Sequence, residues 1–150
     1  VFSPFACISI GRAARKQGLN ELACHTLNSL PDDLNVEYSF LKLREKVMNM
    51  NAEVGLAEVN ATNISSFDSR QKAELFRLKA KSLMEMGENP KANQAYGHAV
   101  QISPNYARAW VDWGLFCASL SPDSCNDSNA ESQELENKRG LYLVQAMSCL

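Results

Sequence analysis

A period of about 34 residues, typical of the tetratricopeptide repeat, is the feature that most restricts what this chain can fold into. Counted from Ala73 as position one, the large side chain of Phe76 occupies the fourth position and the small Ala80 the eighth. One period later, Trp110 and Gly114 occupy the same two positions. Repeats of this kind are helix–turn–helix units that stack on one another. The sequence therefore predicts an all-α fold, an α-α superhelix of degenerate tetratricopeptide-like helical hairpins.

Small and bulky residues alternate here as the close packing of two antiparallel helices requires. Small residues let two helix axes approach, and aromatic residues fill the wider gap toward the next repeat. A weaker copy of the pattern begins the chain, where Gly11, Gly18 and Ala23 keep the mutual spacing of three residues in the stronger copy. The repeat signature comprises Phe76, Ala80, Gly87, Ala92, Tyr96, Ala99, Pro104, Trp110 and Gly114. We expect its aromatic members, and Trp113 beside them, to be buried.

Helices are predicted along the whole chain from apolar residues at helical spacing, seven of them before residue 120. Gly18 and Gly87 each follow a last helical turn, where glycine favours the end of a helix. The predicted N-caps are Asn20, Ser69 and Asn89. No stretch shows the strict two-residue alternation of a half-buried strand, so no sheet is expected.

The region after residue 120 breaks the period. Residues 121–134 are rich in Ser, Asn and Asp without any helical spacing, which predicts a mobile loop. Residues 134–150 regain an apolar stripe and predict a last helix. Because the chain starts at Val1 in what is interpreted as the middle of a helix, we expect residues 1–150 to be one helical-repeat segment taken from a longer polypeptide.

Composition excludes several classes of function. Lys and Arg number 15 against 17 Asp and Glu, for a formal charge of −2, which is too balanced for a protein that binds nucleic acid through its phosphates. No stretch approaches the roughly 18 apolar residues of a membrane span. The five cysteines are scattered and form no C-x-x-C pair, so reduced packing cysteines of an intracellular protein are expected.

Residues that could carry chemistry are few. Neither His25 nor His98 has a second ligand at a metal-like spacing, and no phosphate-binding loop, nucleophile elbow or kinase catalytic-loop motif occurs. We predict no catalytic, cofactor-binding or metal-binding residue and no cofactor. Arg77 and Lys81 lie four residues apart on one helical face and could bind a peptide carboxylate as a weak candidate partner site. An ordinary solvated basic stripe is favoured over that role, because exposed charges are common and individually weak.

Four motifs together resemble a known family. They are A-R-K-x-G at Ala14–Gly18, F-L-K-L-R-E at Phe40–Glu45, Q-K-A-E-L-F at Gln71–Phe76 and A-W-x-x-W-G at Ala109–Gly114. In this order and spacing they resemble the helical FAT domain of the phosphatidylinositol-3-kinase-related kinases, and within it the transcription-associated pseudokinase branch. The resemblance covers about residues 8–118.

The resemblance implies a function that composition and residue spacing alone do not predict. It implies a segment of a very large, non-catalytic scaffold subunit of nuclear histone acetyltransferase co-activator complexes such as SAGA. The implied partners are other subunits of the complex, transcription activators and the pseudokinase domain of the same parent chain, with no direct nucleic acid and no membrane. Two alternatives stay open: the same domain in an active kinase of the family, and a free-standing tetratricopeptide module that binds peptides.

Overall fold

The computed structural model describes residues 3–120, and every described element is an α-helix. The helices are α1 (Pro4–Lys16), α2 (Asn20–Asn28), α3 (Val36–Asn49), α4 (Ala52–Ala61), α5 (Ser69–Glu85), α6 (Asn89–Ile102) and α7 (Ala107–Ser119). The prediction of an all-α array is confirmed for this part of the chain. The loop predicted at 121–134 and the last predicted helix lie outside the described residues, and the single segment over 1–150 stays a prediction.

The helices are arranged as consecutive hairpins. α1 packs on α2, α3 on α4 and α5 on α6, and each even-numbered helix also contacts the odd-numbered helix that follows it. The odd-numbered helices contact their odd-numbered neighbours in turn. Over residues 3–120 the even-numbered helices make no such contact with one another. The array is therefore packed more closely along its odd-numbered helices than between its even-numbered ones.

Two of the hairpin turns have the same backbone geometry. Gly18 and Gly87 follow α1 and α5 with φ of 77° and 78°, the left-handed region that costs glycine least. The next amide in each turn, that of Leu19 or Glu88, donates to a carbonyl five residues earlier at 2.9 Å. This six-to-one hydrogen bond ends a helix by satisfying one of its last free carbonyls. The spacing shared by the two copies of the pattern thus corresponds to the same turn conformation after α1 and after α5.

The predicted N-caps are each wrong by one residue. The side chain of Asp68, and not of Ser69, caps α5, and Gln71 completes a capping box with it. Asn20 and Asn89 are the first residues inside α2 and α6, whose N-caps make no side-chain hydrogen bond. The acidic Asp68 is the better cap because its carboxylate also interacts favourably with the positive end of the helix dipole.

The small residues of the repeat signature lie where they were expected. Ala80, Ala92 and Ala99 are completely buried in one core cluster of α5, α6 and α7, which also holds Tyr96 and Trp113. Phe76 and Trp110 are only partly buried at the edge of that cluster, so the prediction that all the aromatic residues are buried is wrong for these two. Pro104 is exposed between α6 and α7, and Gly114 is half-buried within α7. Whether the register is that of a tetratricopeptide repeat stays a prediction.

Candidate functional site: buried charges on the odd-numbered helices

A buried carboxylate connects α1 to α3. Glu45 is 1% exposed and lies one helical turn after Leu41, on the opposite side of α3 from the buried Leu43 and Val47. Arg12 and Arg15 of α1 donate to its two oxygens at 2.8 and 3.1 Å, and Arg44 donates at 2.9 Å. We call Arg12, Arg15, Arg44 and Glu45 the Glu45 junction. Three guanidinium groups thus compensate one buried negative charge.

A second buried carboxylate lies on α5. Glu74 is 5% exposed and receives two hydrogen bonds from Arg77, one helical turn further on, at 2.7 and 2.9 Å. The hydroxyl of Tyr106, which precedes α7, donates to the same carboxylate, and Arg77 also donates to Asp112 of α7. We call Arg44, Glu74, Arg77, Tyr106 and Asp112 the Glu74 junction. It ties α5 to α7.

Arg44 belongs to both junctions. Its Nη1 donates to Glu45 at 2.9 Å, and its Nε donates to Glu74 at 2.9 Å. The planar guanidinium group can satisfy two acceptors at once because its N–H groups point in fixed, different directions. Hydrogen-bonded charges therefore run without a break from α1 through α3 and α5 to α7.

The electrostatics of the Glu74 junction favour its charged form. Burial alone would raise the pKa of Glu74, but hydrogen bonds from Arg77, Tyr106 and Arg44 and the charge of Arg77 outweigh burial and lower the pKa to about 2. Burial would lower the pKa of Arg77, but Glu74 and Asp112 raise it above its usual value. Both groups are therefore held as ions, and the pair carries no proton that could be transferred near neutral pH.

The tyrosines around this junction are also held in one protonation state. Burial, and then the hydrogen bond to Glu74, raise the pKa of Tyr106. Burial and the charge of Asp112 raise the pKa of Tyr96 to about 12. A phenol that stays protonated donates a hydrogen bond but does not act as a base. The arrangement is suited to fixing the relative positions of helices.

The candidate pair Arg77 and Lys81 does not share an exposed face. Arg77 is 4% exposed and bonded to Glu74 and Asp112, whereas Lys81 lies at the surface. The expectation of a common basic stripe on α5 is therefore wrong. α5 contacts α3, α4, α6 and α7, so more of its circumference is buried than a helix at the edge of an array would bury.

His98 and two of the cysteines are engaged in packing. The imidazole of His98 meets the ring of Phe76 edge to face, with centroids 5.6 Å apart. Cys7 and Cys117 are buried free thiols, and burial raises the pKa of Cys117. Among residues 3–120, no three His, Cys, Asp or Glu side chains are grouped so as to hold a metal ion. Within the same range, no helix combines the length and hydropathy needed to cross a bilayer.

The two junctions were not predicted from the sequence, although the signal is present. Arg44-Glu45 and Glu74-x-x-Arg77 place opposite charges at neighbouring or helix-turn spacing on consecutive odd-numbered helices. Glu45 lies four residues after Leu41 and seven after Tyr38, on the face of α3 whose apolar side chains pack toward the first hairpin. A carboxylate on the apolar face of a helix indicates a buried ion pair, because an isolated charge there would be very costly.

Comparisons with known proteins agree with the four motifs. A model of the FAT domain family matches residues 5–150. The chain is 39% identical over 141 residues to the SAGA complex/NuA4 acetyltransferase complex subunit TRA1 of Saccharomyces cerevisiae, a match that covers 86% of this chain and 4% of that protein. The Schizosaccharomyces pombe subunit Tra1 is 36% identical over 122 residues, with 74% of this chain and 3% of that protein covered.

An animal relative matches a similar share of the chain. The transformation/transcription domain-associated protein of Mus musculus is 31% identical over 134 residues, which are 79% of this chain and 5% of that protein. The chain therefore spans only a few per cent of the length of these relatives.

Proposed function

The chain belongs to the FAT domain family, and from this we propose that it is a non-catalytic scaffold segment of a very large transcription co-activator subunit of histone acetyltransferase complexes. The observation that carries the proposal is the 39% identity to a yeast subunit whose name places it in the SAGA and NuA4 complexes. A segment of such a subunit contributes shape and surface to complex assembly and to the recruitment of transcription activators.

The geometry of the described residues supports a scaffold role. Each buried charge of the Glu45 and Glu74 junctions has at least one partner on a neighbouring helix, which favours one arrangement of the helices. We propose that these buried salt bridges serve mainly to specify one arrangement of the helices. A rigid surface of fixed spacing is what a subunit that positions other subunits requires.

The proposed partners are the other subunits of the complex, transcription activators and the pseudokinase domain of the parent chain. The proposed location is the nucleus, where acetyltransferase co-activators meet chromatin. The balanced charge, −2 overall, supports contacts with proteins rather than direct binding to nucleic acid.

Affinity purification of the full-length parent tests the proposal. We expect histone acetyltransferase activity to co-purify with the parent, measured as acetyl transfer to histones. A parent that purifies intact and without this activity overturns the scaffold function. Two parent variants link the result to this segment: Arg77→Glu, which breaks the Glu74 junction, and the matched surface variant Lys81→Glu. The first should reduce the co-purified activity per mole of parent, and the second should leave it unchanged.

A phosphotransfer assay separates the proposal from its nearest alternative. An active kinase of the same family needs metal-binding and catalytic-loop Asp and Asn residues in its kinase domain. We expect the purified parent to transfer no phosphate from ATP in the presence of Mg²⁺ to itself or to a protein substrate. Phosphate transfer that persists through purification would replace the pseudokinase scaffold by an active kinase.

A further inference from the structure

One side of α7 carries apolar side chains that no described helix covers. Val111 and Leu115 lie one turn apart on this side and are 49% and 65% exposed, which makes Leu115 the most exposed large apolar residue of the described range 3–120. Ala118 continues the same side and is also exposed, and Gly114 beside it is half-buried. We call these four residues the α7 outer face. The other side of α7, which includes Trp113, is buried in the core cluster.

The preceding hairpin shows what covers a face of this kind. One period of the repeat earlier, Gly114 and Ala118 correspond to Ala80 and Met84 of α5. Ala80 is completely buried and Met84 packs against the same core cluster, to which α6, the helix after α5, contributes. α1, α3 and α5 each pack against the helix that follows them, and α7 is the only odd-numbered helix described without such a neighbour. The α7 outer face therefore includes positions that a following helix covers in the preceding hairpin.

The sequence after α7 contains a segment whose composition suits this face. Residues 140–150 include no charged residue, and most of their side chains are apolar. Leu143, Met147 and Leu150 recur at helical spacing, so in a helix they would share one side. Apolar surface of this kind is unfavourable in water, because its transfer to an apolar contact releases free energy in proportion to the area buried. The segment therefore requires an apolar surface to cover it.

Further observations favour this segment over a separate partner. The FAT domain model matches the chain to its last residue, so the pattern of the family includes the segment. The large Leu143 and the small Ala146 are three residues apart, as are the large and small residues of α6 that share a core cluster with Ala80. Residues 121–139 can span up to about 3.3 Å each, so the connection is long enough for the segment to reach any part of the 13-residue α7.

We propose that residues 140–150 pack as a helix on the α7 outer face and complete a fourth hairpin of the array. The apolar side of the segment covers Val111 and Leu115. Gly114 lets the two helix axes approach closely, as the small residues of α5 and α6 do in the preceding hairpin. Because the segment is tethered to α7, its effective concentration at this face is high, so a separate partner competes at a disadvantage. The inference goes beyond the proposed function and does not depend on it.

Hydrogen exchange of the 150-residue chain, followed by mass spectrometry, tests this contact. We expect the amides of residues 140–150 to exchange at least about tenfold more slowly than in an unstructured peptide of the same sequence. Leu115→Glu places a charge in the contact and should return the segment to the unstructured rate. Val54→Glu makes a matched change at an apolar position of α4 that is 47% exposed, and it should leave the protection of the segment unchanged.

Variants within the segment give the reciprocal measurement. Met147→Glu changes the side that faces α7, and it should speed exchange in residues 115–119 about threefold or more. Gln145→Glu adds the same charge on the opposite side of the helix and should leave that rate unchanged. Unchanged exchange in α1 to α6 shows that a variant is folded. If Leu115→Glu unfolds these helices, the comparison of Met147→Glu with Gln145→Glu decides the matter.

Four results would overturn the proposal. Exchange of residues 140–150 at the unstructured rate in the unaltered chain would mean that the segment covers nothing. Protection that survives Leu115→Glu would place the segment on another surface. Equal loss of protection in Leu115→Glu and Val54→Glu would mean that both variants weaken the whole fold. Protection that appears only at concentrations where sedimentation shows a dimer would assign the α7 outer face to a second copy of the chain.

Discussion

Glu45 and Glu74 are both buried carboxylates on odd-numbered helices, but different parts of the fold hold them. Arg77, which makes two of the hydrogen bonds to Glu74, belongs to the same helix, and α7 adds Tyr106 and Asp112 at its start and middle. Glu45 depends on two arginines of α1, a helix that packs on only one side of α3. The Glu74 junction is thus partly preformed within α5, whereas the Glu45 junction is completed only when α1 docks.

The arginines of the two junctions also differ in how far they are exposed to solvent. Arg77 is 5% exposed by its side chain, and Arg12 is 40% exposed. Removing an enclosed partner leaves a charge that water cannot reach, whereas water replaces a partner at the surface. The two junctions therefore teach that a buried carboxylate is as sensitive to mutation as its least replaceable partner.

Arg77→Met should have the largest effect. It leaves Glu74 buried without its main partner, and breaking a buried pair in this way costs about 3–5 kcal/mol of the free energy of unfolding. Urea denaturation followed by circular dichroism measures the loss. The double variant Glu74→Gln/Arg77→Met removes the orphaned charge and should recover part of it. If the unfolding free energy of the Arg77→Met variant lies within about 1 kcal/mol of that of the unaltered chain, then water or Arg44 replaces the lost partner.

Trp113→Ala tests whether α7 is held at the Glu74 junction by packing as well as by charge. Trp113 is 5% exposed in the core of α5, α6 and α7, and its indole N–H donates to Asn93 at 2.8 Å. Truncating a buried aromatic of this size costs about 3 kcal/mol or more. Trp110→Ala is the control: the partly buried Trp110 donates to the exposed carbonyl of Pro104, and its loss should cost clearly less. Equal costs in thermal melts would contradict this ordering.

Acid titration tests the charge of Glu74 itself. Its pKa is about 2 in the folded chain and about 4.5 when unfolded, so the unfolded state binds the proton first as pH falls. The stabilisation is complete above the unfolded pKa and is lost as pH falls from about 4.5 through about 2, for a total of about 3 kcal/mol. Unfolding free energies measured between pH 6 and pH 2 should fall more steeply in the unaltered chain than in the Glu74→Gln variant. Parallel pH profiles would contradict the low pKa of Glu74.

Arg12→Ala should have the smallest effect. Glu45 keeps Arg15 and Arg44, and the half-exposed site of Arg12 lets water solvate the freed oxygen. We expect a loss of less than about 1 kcal/mol, as is usual for pairs near the surface. The double variant Arg12→Ala/Arg15→Ala removes both α1 partners and should cost more than the sum of the single variants. Strict additivity in urea melts would mean that the two arginines act independently.

Helical hairpins were predictable because they depend on local signals. Small residues at Ala80, Ala92 and Ala99 and glycines at the two turns specify close approach and reversal wherever they occur. The two turns have the same conformation because a left-handed residue is required at each, and only glycine adopts it without strain. The all-α class and these turns therefore follow from single residues and their spacing.

The buried charges were not predictable in the same way. A charged residue on a helix is expected at the surface, and for that reason the sequence predicts a solvated stripe from Arg77 and Lys81. The burial of Arg77 depends on how many helices pack against α5, which is a property of the whole array. The displacement of the α5 N-cap by one residue has a related cause. Asp68 and Ser69 are both good N-cap residues, and which of them caps the helix depends on where the chain enters it.

The position of Arg44 between two carboxylates has a mechanical consequence for the array. Bending that separates the odd-numbered helices must stretch an unbroken series of charged hydrogen bonds, whereas bending that opens or closes the gap between α4 and α6 stretches none of those bonds. We therefore expect flexing that separates the odd-numbered helices to meet more resistance than flexing that widens the gap between α4 and α6.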